Sequence, residues 1–242
     1  MVNQAWLPAE ISDHALAFDR QFGWTLATAL TVLIAAQAGL VVVVWRFRRR
    51  SRGVAAASQG SGRLEAMWTI ATAVVFLGLL ALGSSTWAGV QFTPAPAGAE
   101  PIEVLGKQFA WNFRYPGNDG KFGKVDPLLM NDAGGNPFGI DERDSAGKDD
   151  IVSATLRIPA GRPVLLTLNS VDVIHSFFVR ELRLKQDLVP GMRIPIHFVA
   201  KIPGTYEIPC AELCGLGHFQ MRSAMIVLPA AEFDAWKRGQ TR

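Results

Sequence analysis

The 242-residue chain has only two cysteines, too few for a disulfide framework, and both fall inside one short stretch. It has no glycine-rich phosphate loop, no nucleophile–base–acid pattern and no Cys-x-x-Cys-His haem attachment. Those absences argue against P-loop nucleotide chemistry, covalent hydrolysis and a c-type haem. Charge is missing from two long runs, residues 21–45 and 66–99. A transmembrane helix needs ~20 apolar residues, and both runs meet that length. No internal repeat is visible.

What charge there is sits unevenly. The loop between the two runs carries Arg46, Arg48, Arg49, Arg50, Arg52 and Arg63, whereas the first twenty residues are net acidic. Residues 91–242 hold 17 basic and 17 acidic side chains, so the net charge of +3 belongs to the loop and is no signal for nucleic acid. Arginine-rich short loops stay in the cytoplasm. The expected topology is therefore a multi-pass (two-helix) membrane protein, with both termini and the C-terminal domain on the outer side. The first run differs from a cleaved signal: its leading flank is acidic, the run is too long, and arginines follow it.

In order, the chain divides into an external N-terminal segment (1–23), a two-helix hairpin (24–90) with its cytoplasmic loop at 46–63, a Pro/Gly/Ala linker (91–100), and a domain at 101–242. Glu65 opens the second helix, where an acid in the first turn is favoured by the helix dipole. In the domain, Phe109, Trp111, Phe113 and Tyr115 alternate with Gln108, Ala110, Asn112 and Arg114, a period-2 strand with one aromatic face. Residues 117–150 contain eight acids and four bases among glycines and asparagines, and read as a surface insertion. Strand-like runs follow at 153–158, 163–169, 174–179, 193–199, 204–209 and 223–228, with a closing helix over 230–238. The expected fold class is thus an N-terminal transmembrane α-helical hairpin plus an all-β sandwich or Greek-key barrel.

The stretch Cys210-Ala-Glu-Leu-Cys214-Gly-Leu-Gly-His218-Phe-Gln-Met221 lies between two of these strands. Thiolates, an imidazole and a thioether form a soft ligand set suited to copper, and His175 opens an earlier strand that pairing can bring to the same end. A disulfide accounts for the cysteines alone. A Cys2His2 zinc site leaves Met221 without a role, and a mononuclear blue-copper site leaves one cysteine idle. Two coppers bridged by both sulfurs use every group.

These residues resemble the binuclear copper (CuA) motif of cytochrome c oxidase subunit II, a cupredoxin-like family. So do Asp172-Val-Ile-His175-Ser-Phe, Lys185-Gln-Asp187 and Pro190-Gly191, and, further upstream, Glu65-x-x-Trp68-Thr and Gly106-Lys-Gln-Phe-Ala-Trp111. The resemblance implies that Cys210 and Cys214 bridge two copper ions. It implies His175 and Met221 as further ligands of one copper, with His218 and the Glu212 main-chain carbonyl on the other. The Glu212 side chain would face a Mg²⁺ site shared with a haem–copper catalytic subunit I, Glu65 would mark the mouth of a proton path, and Phe109 and Trp111 would admit electrons from cytochrome c or another small donor. The implied function is single-electron input to a terminal oxidase that reduces oxygen to water and translocates protons. The alternatives are the same role in a nitric oxide reductase, or a membrane-anchored copper chaperone of thioredoxin-like fold. Three positions depart from the family pattern: Phe109 replaces its common Trp, Arg114 stands where an acid of the docking surface is frequent, and Thr72 replaces a helix proline. His14 and His197 match no ligand position and read as structural or surface histidines.

Overall fold

The computed structural model describes residues 7–48 and 60–240. It divides into two compact units, one of residues 17–92 and one of residues 93–242 together with 1–16.

The first unit consists of α1 (Ala15–Phe47) and α2 (Gly62–Gln91), both long and apolar enough to cross a membrane and neither buried within the protein. Thr25, Thr31 and Thr72 donate their hydroxyls to the carbonyls of Gln21, Ala27 and Trp68, four residues earlier, at 2.8–2.9 Å. Their polar groups are thereby satisfied inside the helix, as a lipid environment demands. Gln21 Nε2 reaches the Leu79 carbonyl of α2 at 3.5 Å. The arginines at 49, 50 and 52 lie outside the described residues.

Helix α1 begins at Ala15, well before the expected Trp24. Ser12 explains the start, because its Oγ accepts from the Ala15 N–H at 3.0 Å and so satisfies a donor in the first turn. Nor is the segment before it a loose tail. Ser12 bridges antiparallel to Ala200, Asp13 and Ile11 donate backbone N–H groups to Val199 and Glu181, and Lys201 donates to Ile11. Ile11 and Ala15 are buried by these contacts.

The second unit holds a five-stranded mixed sheet of β1 (Glu100–Lys107), β2 (Ala110–Tyr115), β3 (Ile151–Ser153), β5 (Pro163–Ser170) and β8 (Ile194–Val199), in the order β3-β2-β1-β5-β8 with β1 and β5 parallel. Strands β4 (Leu156–Pro159), β9 (Gly204–Pro209) and β10 (Arg222–Leu228) form a second sheet, ordered β4-β10-β9. A hairpin of β6 (His175–Val179) and β7 (Leu184–Leu188) completes a cupredoxin-like sandwich. The core includes Val104, Trp111, Phe113, Leu166, Phe177, Phe198 and Met225, each fully buried apolar side chain contributing roughly 1.5–3 kcal/mol. Helix α3 (Ala230–Gln240) closes the sandwich through Phe233, and Tyr115 meets Trp236 edge-on at 5.1 Å.

Three expectations need correction here. The run 153–158 is not one strand: it splits between β3 and β4, which lie in different sheets, at a corner where Ser153 Oγ accepts from the Thr155 N–H and donates to its carbonyl. Strand β7 was not foreseen, since only Leu184 and Leu188 of its five residues turn inward. Residues 117–150 are not a simple solvated loop. Phe138 and Ile140 pack on Leu105, and the acids are turn-builders: Asp119, Asp126 and Asp144 accept from the backbone N–H groups of Lys121, Leu128 and Lys124. Asp149 accepts from Asn118 and Asp119.

The insertion is anchored by Arg114, which is only 1% exposed. Its guanidinium bonds Asp150, Glu103 (3.0 Å) and the Gly123 carbonyl (2.6 Å), and lies 5.1 Å above the centre of the Phe122 ring. Arg114 therefore has no place on a docking surface. Removing one partner of a buried ion pair costs about 3–5 kcal/mol, because the other charge is left uncompensated. Arg114→Met, which keeps much of the stem but leaves Asp150 unpaired, should lower the unfolding free energy of the β-domain by about that amount in a denaturant titration. A loss under about 1 kcal/mol, the range of exposed pairs, would show that the pair is not the anchor.

Candidate metal centre

Three segments converge at one end of the sandwich. The cysteine loop leaves β9 at Cys210 and re-enters the sheet at β10, and its neck is closed by Cys210 N–H donating to the Met221 carbonyl at 3.0 Å. Ala211 N–H donates to the Ser176 carbonyl at 3.0 Å, and Cys210 bridges antiparallel to Phe177. The loop is thus stitched to β6, whose first residue is His175, and a histidine 35 positions upstream arrives beside the cysteines for that reason. At the far side a 3₁₀ turn over His218–Gln220 returns His218 and Met221 toward the sulfurs.

The ligating atoms form a connected group. Cys210 Sγ lies 3.9 Å from Cys214 Sγ, 3.9 Å from His175 Nδ1 and 3.2 Å from the Glu212 carbonyl oxygen. Cys214 Sγ lies 3.6 Å from His218 Nδ1 and 3.7 Å from Met221 Sδ. The donor atoms of His175, Cys210 and Cys214 all fall within 4.8 Å of one another. The sulfurs are not a disulfide, whose S–S length is about 2.05 Å. His175 Nε2 is held by Asp172 Oδ1 at 2.8 Å, which turns Nδ1 to the sulfurs. A carboxylate on the outer nitrogen is the usual way a ligating histidine is oriented.

Burial is graded. His175, Cys210, Cys214 and Met221 are buried, while Leu213, Phe219 and Leu216, the last 98% exposed, project outward from the same loop. Glu212 also faces outward. Of the two rings expected to admit electrons, only Phe109 reaches the surface, at 39% exposure. Trp111 is 2% exposed and meets His175 and Phe177 edge-on at 6.1 and 6.2 Å, so it lies beneath the surface, beside the centre. Glu65 is exposed in the first turn of α2, its N–H bonded to the Ser61 carbonyl. Two contributors lay inside motifs of the sequence without being read as supports of the centre: Asp172, which opens Asp172-Val-Ile-His175-Ser-Phe, and Gln108, within Gly106-Lys-Gln-Phe-Ala-Trp111.

The profile "Cytochrome C oxidase subunit II, periplasmic domain" matches residues 101–228, over half the chain and the whole of the candidate centre. The chain belongs to the cytochrome c oxidase subunit II family. It is 39% identical over 200 residues to the "Alternative cytochrome c oxidase subunit 2" of Bradyrhizobium diazoefficiens, covering 81% of this chain and 70% of that one. It is 30% identical over 285 residues to cytochrome c oxidase subunit 2 of Thermostichus vulcanus, covering 96% and 77% of the two chains. Among solved structures, the periplasmic domain of subunit II (CoxB) of Bradyrhizobium japonicum matches at 26% identity with a TM-score of 0.45, over 61% of this chain and 96% of that one. The protein is therefore subunit II of a haem–copper oxidase, anchored by two helices. A thioredoxin-like chaperone is excluded by the fold: among the described residues, only single 3₁₀ turns separate the strands of the β-domain.

The metal-free centre is electrostatically lopsided. Burial opposes ionisation of Cys210, but hydrogen bonds from His175, from the Glu212 and Ser176 backbone and from His218 outweigh it and bring the thiol down to about 6. Burial and the neighbouring Cys210 thiolate push Cys214 up to about 11. Because the sulfurs are 3.9 Å apart, the first thiolate opposes the second. Titration of thiolate absorbance in metal-free protein should show one step near pH 6 and another near pH 11, with the lower step abolished in Cys210→Ser. Two superimposed steps at an ordinary thiol value would contradict the asymmetry.

Proposed function

We propose that this subunit II holds two copper ions between Cys210, Cys214, His175, His218, Met221 and the Glu212 carbonyl, and relays single electrons from a periplasmic donor to the catalytic subunit. One observation carries the reading. The family pattern assigns His175 and Met221 to one copper and His218 with Glu212 to the other. Each sulfur here touches one donor of each set: Cys210 touches His175 and Glu212, while Cys214 touches His218 and Met221. A sulfur that bridges needs that position. The separations of 3.6–3.9 Å among the nitrogen and sulfur donors are short enough for neighbouring donors to share a metal ion.

Bound there, two copper ions would supply one-electron redox chemistry. The chain's own residues supply the rest. Asp172 keeps His175 oriented, and the packed walls around His175, Cys214 and Met221 exclude water. Phe109 offers a surface ring packed against the cysteine loop at Gly217, where a small donor such as cytochrome c would make contact. The Glu212 carboxylate, turned outward, is available to a Mg²⁺ site completed by the catalytic subunit, since Mg²⁺ is held by one or two carboxylates and retained waters. Glu65, in the first turn of a spanning helix, is the acid at the mouth of a proton path serving oxygen reduction and proton translocation. The assembly sits in a bacterial inner membrane with the β-domain and both termini in the periplasm, where arginine retention places the loop 46–63 in the cytoplasm.

Electron paramagnetic resonance of the copper-loaded protein tests the reading. We expect hyperfine structure from one unpaired electron shared over two coppers, and copper in a ratio of two per chain by elemental analysis. A four-line mononuclear signal, or zinc in place of copper, would sink it. Met221→Leu removes a weak thioether ligand and should keep both coppers while shifting potential and spectrum; loss of all copper would show that Met221 is essential to binding.

A further inference from the structure

Gln108 belongs to neither segment that carries the proposed ligands, yet it is bonded to both. It sits in the turn between β1 and β2. Its backbone N–H donates to Asp172 Oδ2 at 2.8 Å, and its side-chain amide donates to the Cys214 carbonyl oxygen at 2.5 Å. The other oxygen of Asp172 holds His175 Nε2 at 2.8 Å. A continuous set of polar contacts therefore runs from Cys214 through Gln108 and Asp172 to His175, outside the ring of ligating atoms.

The cysteine loop is shaped to receive this turn. At Gly215, φ is +134°, a conformation that favours glycine, and a Cβ there would lie 2.7 Å from Gln108 Nε2. At Gly217 a Cβ would come within 2.5 Å of the Phe109 ring. Amide and ring, adjacent in sequence, are lodged against the same loop through two glycines.

We propose that Gln108 is a positioning residue of the centre: it sets the separation of the His175 and Cys214 arms before metal arrives, and ties both arms to the exposed ring of Phe109. The inference deepens the copper reading and rests on it, but its first test needs no metal. A ligand shell held by a second set of hydrogen bonds is preorganised, and releasing one bond lets the loop open locally.

The test uses the full chain in detergent, as Gln108→Leu and as Gln108→Glu; the latter keeps the length of the side chain but puts oxygen where the amide donor stood. In the metal-free protein, amide hydrogen exchange over residues 171–175 and 211–219 should quicken about tenfold, the factor expected from one hydrogen bond of ordinary net strength. Exchange in β5 and β8 should stay unchanged, which reports an intact fold. After copper loading, copper content should be retained while the hyperfine pattern changes, a signature that a merely structural residue would not move. Unchanged exchange in either segment would overturn the proposal, and so would an unaltered hyperfine pattern. Should the unsubstituted protein fail to bind two coppers, the metal reading falls, and the exchange result still decides whether Gln108 clamps the two arms.

Discussion

The centre depends on the closure of one loop onto one strand. Cys210 must leave β9, pair with Phe177, and present its N–H to Met221 before any of the other donors can meet. Two backbone contacts, Cys210 to Met221 and Ala211 to Ser176, bring the cysteine loop and β6 together. The side chains then follow from strand geometry, since His175 opens β6 on the side where the loop lands. The candidate donor atoms on such a neck are carried by backbone contacts at both of its ends.

That support extends outward through the polar residues of the period-2 strand. Strand β2 turns Trp111, Phe113 and Tyr115 into the sandwich, but its other face is covered as well, because the insertion lies across Arg114. A buried guanidinium is tolerable only with its donors paired, and Glu103, Asp150 and the Gly123 carbonyl meet that demand. The insertion owes its place to this pairing and to a small apolar contact at Leu105. Lys107 and Asp132 join it to the end of β1, immediately before Gln108. The turn that touches the centre is thus supported from behind by residues that read, in one dimension, as an acidic loop.

Legibility in the sequence followed from how local each signal was. The soft donors of 210–221 are crowded into a single loop, so their chemistry survives without knowledge of the fold, and uncharged runs of span length need no tertiary context. His175 required strand pairing and was found through its motif. The supporting contacts of Gln108 and Arg114 were not legible for one reason: alternation of polarity tells which side chains are apolar, not whether the polar face is covered. The corner at Ser153 and the strand β7 escaped because a side-chain-to-backbone turn interrupts an apolar run in one case, and only two inward leucines mark a strand in the other. The start of α1 was set by Ser12, a cap whose significance depends on the chain before it pairing with the domain.

The two sulfurs illustrate why such a centre needs its surroundings as much as its ligands. Burial opposes charge at both sulfurs; at Cys210 the hydrogen bonds from His175 and backbone groups outweigh it and lower the thiol, whereas at Cys214 the neighbouring sulfur adds to it and raises the thiol. The pair is thus half prepared for a cation and half guarded against one. Asp172 strengthens the prepared half by supporting His175 from its outer nitrogen. Gln108 reaches the guarded half from outside, at the carbonyl of Cys214 rather than at its sulfur. A residue in that place touches the backbone of the second cysteine without adding charge to its sulfur.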